Sequence, residues 1–151
     1  GDTRLAAFVA QLAALRRAHP VLRQRRFLHA KPRPADGLPD VIWRRSDGHV
    51  PRPEDWHDPA FRCLGVELRM AAEGGEAGEG AIFAVFNAGG ETVLRLPDTA
   101  PRWEMVLDTT RPDSVGLERP EAAGTGTRVP PHSVLVFRSA PLGGTTEGDL
   151  P

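Results

Sequence analysis

This sequence has little of several things. Its 151 residues include one cysteine, Cys63, so no disulfide can close within the chain. It carries almost no net charge, because 19 Lys and Arg face 20 Asp and Glu. No global field therefore draws it to nucleic acid or to an anionic membrane, and neither is expected as a partner. There is no long apolar run and no charged-then-apolar leader, so no membrane span or signal peptide is expected. A reducing cytoplasm is the expected compartment. Familiar reaction motifs are missing too. No G-x-S-x-G turn surrounds Ser46, Ser114, Ser133 or Ser139. Gly74, Gly75, Gly78 and Gly80 do not bridge a strand to a helix ahead of a lysine, so they make no phosphate loop. No cofactor is expected.

Glycine and proline are plentiful, at 16 and 15 residues, which favours a loop-rich β architecture over a helical bundle. A chain of this length makes one domain with an appendage and can bury roughly two-thirds of its unfolded surface. The start differs from the rest. Leu5, Phe8, Val9, Leu12 and Leu15 form one apolar stripe at helical spacing. Asp2 or Thr3 can cap that helix, and Pro20 forces His19 out of helical geometry, so a helix is predicted from Thr3 to Ala18. The stripe finds no helical partner elsewhere in the chain. It is expected to have too few neighbours, and the rest is expected to fold without it.

Beyond "KPRPADGLP" the apolar period becomes two. Strands are predicted at Asp40–Arg44, Arg62–Met70, Ala81–Asn87, Glu91–Leu96, Arg102–Asp108, Thr125–Pro130 and Ser133–Arg138. Asp47-Gly48 and Asn87-Ala88-Gly89-Gly90 are turn signals. "IFAVF" is apolar at every position, which predicts cover on both faces. Trp103, Met105 and Leu107 are expected on one face. The Gly- and Glu-rich stretch 71–80 reads as a solvated loop, and 140–151 as a loose tail. Seven short strands with turns between them predict a mainly β fold, an antiparallel β-sandwich preceded by one amphipathic helix.

The densest chemistry lies in "EDWHDPAFRCLGV", residues 54–66. As a metal site it lacks ligands: His57 and Asp58 are adjacent, Cys63 is the single thiol, and no second histidine completes a pattern. As a glycosidase pair, Asp55 and Asp58 could lie within the required roughly 5–10 Å, but no pocket is visible around them. The structural alternative is that Asp55 caps a turn, Trp56 packs beneath it and Pro59 ends it. No residue is assigned as catalytic or metal-binding. Arg16, Arg17, Arg23, Arg25 and Arg26 could touch phosphates, but they read better as the polar side of the helix and its exit. Trp43, Trp56 and Trp103 could stack on sugar faces. Trp103 is in phase with a core strand, which leaves Trp43 and Trp56 as the candidate substrate-binding residues.

"LAALRRAHPVLRQRRFLHA" resembles the last barrel helix of the α-amylase superfamily and the chain leaving it. Leu12, Leu15, Arg16, His19, Pro20, Leu22 and Arg23 carry the match. "DVIWRRSDGHVPRPEDWHDPAFRCLGVEL" resembles isoamylase-type glycogen debranching enzymes through Asp40, Trp43, Asp47, Gly48, Asp55, Trp56, Arg62, Leu64 and Gly65. "FNAGGETVLRLP", "WEMVLDTTRPD" and "VPPHSVLVFR" are similar to later strands of the same domain. The stretch 71–80 departs from that pattern as a variable insert.

The resemblance implies a C-terminal β-sandwich of the α-amylase type following a (β/α)8 barrel. It places the helix and exit segment at 1–30, the sandwich at 31–139 and a flexible tail at 140–151. The superfamily's catalytic carboxylates stand at the ends of barrel strands that precede this helix, so no residue here receives their roles. The implied activity is hydrolysis of α-1,6 branch linkages in glycogen or limit dextrin by the retaining route, without a metal as the chemical agent. The implied partners are the catalytic barrel of the same polypeptide and, through the parent enzyme, an α-glucan. Two other assignments stay open. One is a free-standing carbohydrate-binding module using Trp43 and Trp56. The other is the same domain from a relative such as a maltooligosyl-trehalose hydrolase.

Overall fold

The computed structural model describes residues 3–25, 27–34, 36–70, 80–113 and 120–140. The expected cap Asp2, Arg26, nearly all of the 71–80 loop, Ser114 and the 141–151 part of the tail lie outside the described residues.

Helix α1 spans Thr3–Ala18. It gives way at Pro20 to one 3₁₀ turn, Pro20–Arg23. The Arg23 guanidinium reaches back to the carbonyls of Arg16 and Arg17 at 3.1 and 3.2 Å. It thereby satisfies acceptors that the helix end leaves open. Among the described residues eight strands follow: β1 (Val41–Arg44), β2 (Cys63–Leu68), β3 (Ile82–Asn87), β4 (Thr92–Arg95), β5 (Arg102–Asp108), β6 (Glu121–Ala122), β7 (Gly126–Val129) and β8 (Ser133–Ala140). The two-residue β6 has no apolar alternation and was not among the predicted strands.

The strands form a six-stranded antiparallel sheet, β1-β2-β3-β8-β5-β6, and a two-stranded one, β4-β7. This is a mainly antiparallel β-sandwich preceded by a helix. The turn at 87–90 joins β3 to β4 by carrying the chain from one sheet to the other. Asn87 holds it: its amide donates to the carbonyls of Gly90 and Pro130, and its side-chain oxygen accepts from the Gly89 N–H, each at 2.9 Å.

Two apolar clusters follow from strand alternation. Between the sheets lie Phe83, Val85, Trp103, Met105, Leu135 and Phe137, facing Leu94, Leu96 and Val129. On the outer face of the large sheet, Ile82, Leu107 and Val136 meet Val21, with Phe8, Leu15 and Leu22 packed against them. Helix α1 therefore docks on the sandwich through part of its stripe. The other flank stays bare: Leu5, Val9 and Leu12 are exposed.

Two strand expectations need correction. A register shift between Met105 and Leu107 interrupts the pairing of β5 with β8. The extra residue turns Leu107 to the outer cluster, whereas Trp103 and Met105 stay inside. The run Ile82–Phe86 is covered on both faces only at its start, because Phe86 on the outer face is 47% exposed.

One buried polar knot fixes the β1 edge. Glu67, fully buried, accepts from Arg44 Nε at 2.6 Å, Arg69 at 2.8 Å and the Thr99 hydroxyl at 2.6 Å. A buried carboxylate is tolerated when opposite charges and donors surround it in this way. A second buried carboxylate, Asp40, accepts from the backbone N–H groups of His29 and Ala30 at 3.0 and 2.8 Å. Ala30 adopts φ 55°, an uncommon region for a residue with a side chain, and the Asp40 bond holds it there. The segment leaving the helix is thus tied to the start of the sandwich.

Candidate functional site

The stretch 54–66 folds as a 3₁₀ turn, Pro53–His57, that feeds β2. Pro53 presets the backbone for that turn. Asp55 closes it. Its Oδ2 accepts from the Arg52 N–H at 2.7 Å, and its own N–H donates to the Arg52 carbonyl at 3.0 Å. That backbone donor is the main cause holding Asp55 below the ordinary carboxylate pKa. Arg45, 3.4 Å away, and Arg52, 3.6 Å away, add to it. Asp58 accepts from the Ala60 N–H at 2.9 Å, and Pro59 follows it. Both carboxylates of the suspected pair therefore serve local backbone donors. A glycosidase acid must hold its proton near neutral pH, which needs a raised pKa, and Asp55 is shifted the other way.

Cys63 starts β2 half-buried, and burial pushes its thiol up to about 11, so it is not a ready nucleophile. Ser133 donates to the Pro130 carbonyl at 2.7 Å, and Ser139 accepts from the Ala81 N–H at 2.8 Å. Among the described residues, no group of three or more His, Cys, Asp and Glu side chains comes together to hold a metal. No helix of the described residues is long and apolar enough to cross a membrane.

The candidate sugar-contacting residues Trp43 and Trp56 are brought together. Their ring centroids lie 6.0 Å apart at an interplanar angle of 87°. Trp56 also meets Phe61 edge-on, at 5.8 Å and 83°. Trp56 was expected to lie against protein. It touches two rings, yet half of it faces solvent. Trp103 is the opposite case: it is 1% exposed, and its indole N–H donates to the Pro97 carbonyl at 2.9 Å.

An open groove of about 720 Å³ is lined by Arg44, Arg45, Asp47, Gly48, His49, Val50 and Arg52. Arg45 pairs there with Asp47 at 3.0 Å as well as with Asp55. Another open groove, about 500 Å³, lies over Met105, Asp108, Arg111, Glu121 and Thr127. In it one Glu121 carboxylate oxygen is buried with no hydrogen-bond partner among the described residues.

Sequence reasoning missed Phe61 as a member of the ledge, and it missed the Glu67 knot. Phe61 had one usable signal, an aromatic residue just past a proline-ended turn. Glu67 had none, because its partners come from three separate segments.

No protein-family model matches the chain. Three curated proteins do resemble it, each described as a glycogen operon protein GlgX homolog. One is from Mycobacterium bovis and two are from strains of Mycobacterium tuberculosis. Each is 32% identical over 145 residues, covering 89% of this chain and 20% of the relative. The chain thus spans about a fifth of the length of the curated relatives it matches. Nearly the whole of this sandwich and its leading helix is therefore similar to one part of a glycogen operon protein.

Proposed function

We propose that the chain is the C-terminal part of an isoamylase-type glycogen debranching enzyme, which hydrolyses α-1,6-glucosidic branch linkages in glycogen or limit dextrin. Residues 1–30 would be the last barrel helix and its exit, 31–139 the sandwich, and 140–151 a flexible tail. The sandwich would brace the catalytic barrel of the same polypeptide and carry no catalytic residue itself. The observation that carries this reading is the 32% identity to a fifth of a GlgX homolog. The motif resemblance from Leu12 to Gly65 points the same way. Two structural features agree with it. Asp55 and Asp58 are committed to backbone donors. The aliphatic flank Leu5, Val9 and Leu12 lies open, as a helix does whose second partner is another protein surface.

The test is a reducing-sugar assay of the 151-residue chain on glycogen, amylopectin and pullulan. No turnover is expected. Turnover that Asp55→Asn or Asp58→Asn abolishes would place the chemistry in this chain and overturn the proposal.

A further inference from the structure

We propose that the ledge formed by Trp43 and Trp56, with Phe61 behind them, is a contact site for an α-glucan chain. The ligand class rests on the glycogen reading above; the site rests on the geometry.

Two of the three tryptophans are exposed, at 42% and 50%, and they touch each other. Single exposed apolar residues need no explanation, but two indoles together form a patch. The ledge is held rigidly. Trp43 sits on β1, which the Glu67 knot ties to β2. Trp56 sits on the turn that Asp55 closes. A rigid indole loses little freedom on binding, and its flat face suits the C–H face of a pyranose.

The surroundings favour a sugar over a protein. Around Trp56, Arg45 pairs with Asp47 and Asp55 and Arg52 pairs with Asp55, so two charges of each sign cancel locally. That suits a neutral polyhydroxyl ligand, which needs donors and acceptors and no net charge. The aliphatic stripe of Leu5, Val9 and Leu12 lies elsewhere, on the α1 flank, where it suits a protein neighbour. The ring geometry also discriminates between glucans. Two indoles at 87° cannot both lie flat on a straight ribbon such as a β-1,4-glucan. An α-1,4-linked chain curls, and its successive sugar faces turn to meet rings set at an angle.

The experiment is native electrophoresis of the 151-residue chain through gels holding glycogen, amylopectin or hydroxyethylcellulose. Retardation by the two α-glucans is expected, with none by the cellulose derivative. Trp43→Ala or Trp56→Ala should weaken retardation roughly tenfold, the loss of about one stacking contact. Buried Trp103 reports folding in each variant through its fluorescence, and Trp43→Phe with Trp56→Phe provides a second, conservative pair. The proposal is overturned by no retardation at any glucan concentration, by equal retardation by hydroxyethylcellulose, or by retardation that folded alanine variants keep. If the variants instead abolish self-association in sedimentation, the ledge is a protein interface and the proposal fails. Debranching by the longer polypeptide is scored separately. Activity without retardation would defeat the ledge alone, and retardation without activity would defeat the debranching assignment alone.

Discussion

Trp103 and Trp56 show how position decides what one residue type does. Trp103 lies on β5 between the sheets, against Phe83 at a centroid distance of 5.6 Å, with its N–H bonded. Trp103→Ala should cost about 3–5 kcal/mol, a large share of the roughly 5–15 kcal/mol that holds a domain together. Urea unfolding checks this, and a variant that melts within a degree of the parent would contradict the assigned packing. Gly65 explains itself in the same cluster. A Cβ there would stand 2.5 Å from the Phe83 ring, so only glycine lets that ring lie on β2. His19 sets a pH dependence. Burial, with Arg138 nearby, lowers its pKa below the ordinary 6.5. The unfolded chain therefore takes up the proton first on acidification. Stability is full above about 6.5 and falls as pH drops from there through the folded-state value. Asp108 acts in the same direction at lower pH. Burial opposes its charge, but Thr110 and Arg111 donate to it and hold its pKa below 3.8. Its contribution is lost only as pH falls through that lowered value. Unfolding free energy should therefore be smaller at pH 5.5 than at 7.5, and His19→Gln should flatten the difference. Equal stability of the parent at both pH values would contradict the lowered histidine.

At the scale of elements, periodicity made α1 and seven strands legible. Helix α1 falls on the expected Thr3–Ala18, and the ends of each predicted strand lie within two residues of an observed one's. What stayed hidden was long-range. The bulge that turns Leu107 outward shows only in the pairing with β8, since the apolar run Met105-Val106-Leu107 leaves the phase of Leu107 open in the sequence. The docking of α1 was hidden for the same reason: a stripe shows that a helix has a partner and not where the partner lies. The structure sets contacts against the expectation that the sandwich folds without residues 1–30. Phe8 and Leu15 are half-buried on the sheet, Val21 is buried, and His29 and Ala30 supply the N–H donors to Asp40. Removing 1–18 takes away only the first two and should cost about 1–3 kcal/mol. Removing 1–30 also takes Val21 and the Asp40 donors, and should cost roughly 5 kcal/mol or more. Denaturation of the two truncations decides this. Equal stability of the intact chain and the 1–30 truncation would mean the exit segment does not belong to the sandwich.

At the scale of the molecule, the chain offers two open surfaces of different character: the aliphatic flank of α1 and the aromatic ledge at β1. The candidate site was legible only in part. Trp43 and Trp56 stood out by residue type, but their contact depends on a turn that folds Trp56 back toward the sheet edge. The chemistry of Asp55 and Asp58 was equally ambiguous until their backbone donors were seen. The proposed function puts this sandwich in an enzyme that cleaves α-1,6 branch points, with its catalytic carboxylates outside the 151 residues. The most direct measurement is a product analysis of the longer polypeptide acting on glycogen limit dextrin and on linear maltooligosaccharides. Release of short linear chains from the limit dextrin, with linear substrates left intact, is the expected result. Branch points left uncut, or trehalose released from a maltooligosyl-trehalose, would contradict the assignment.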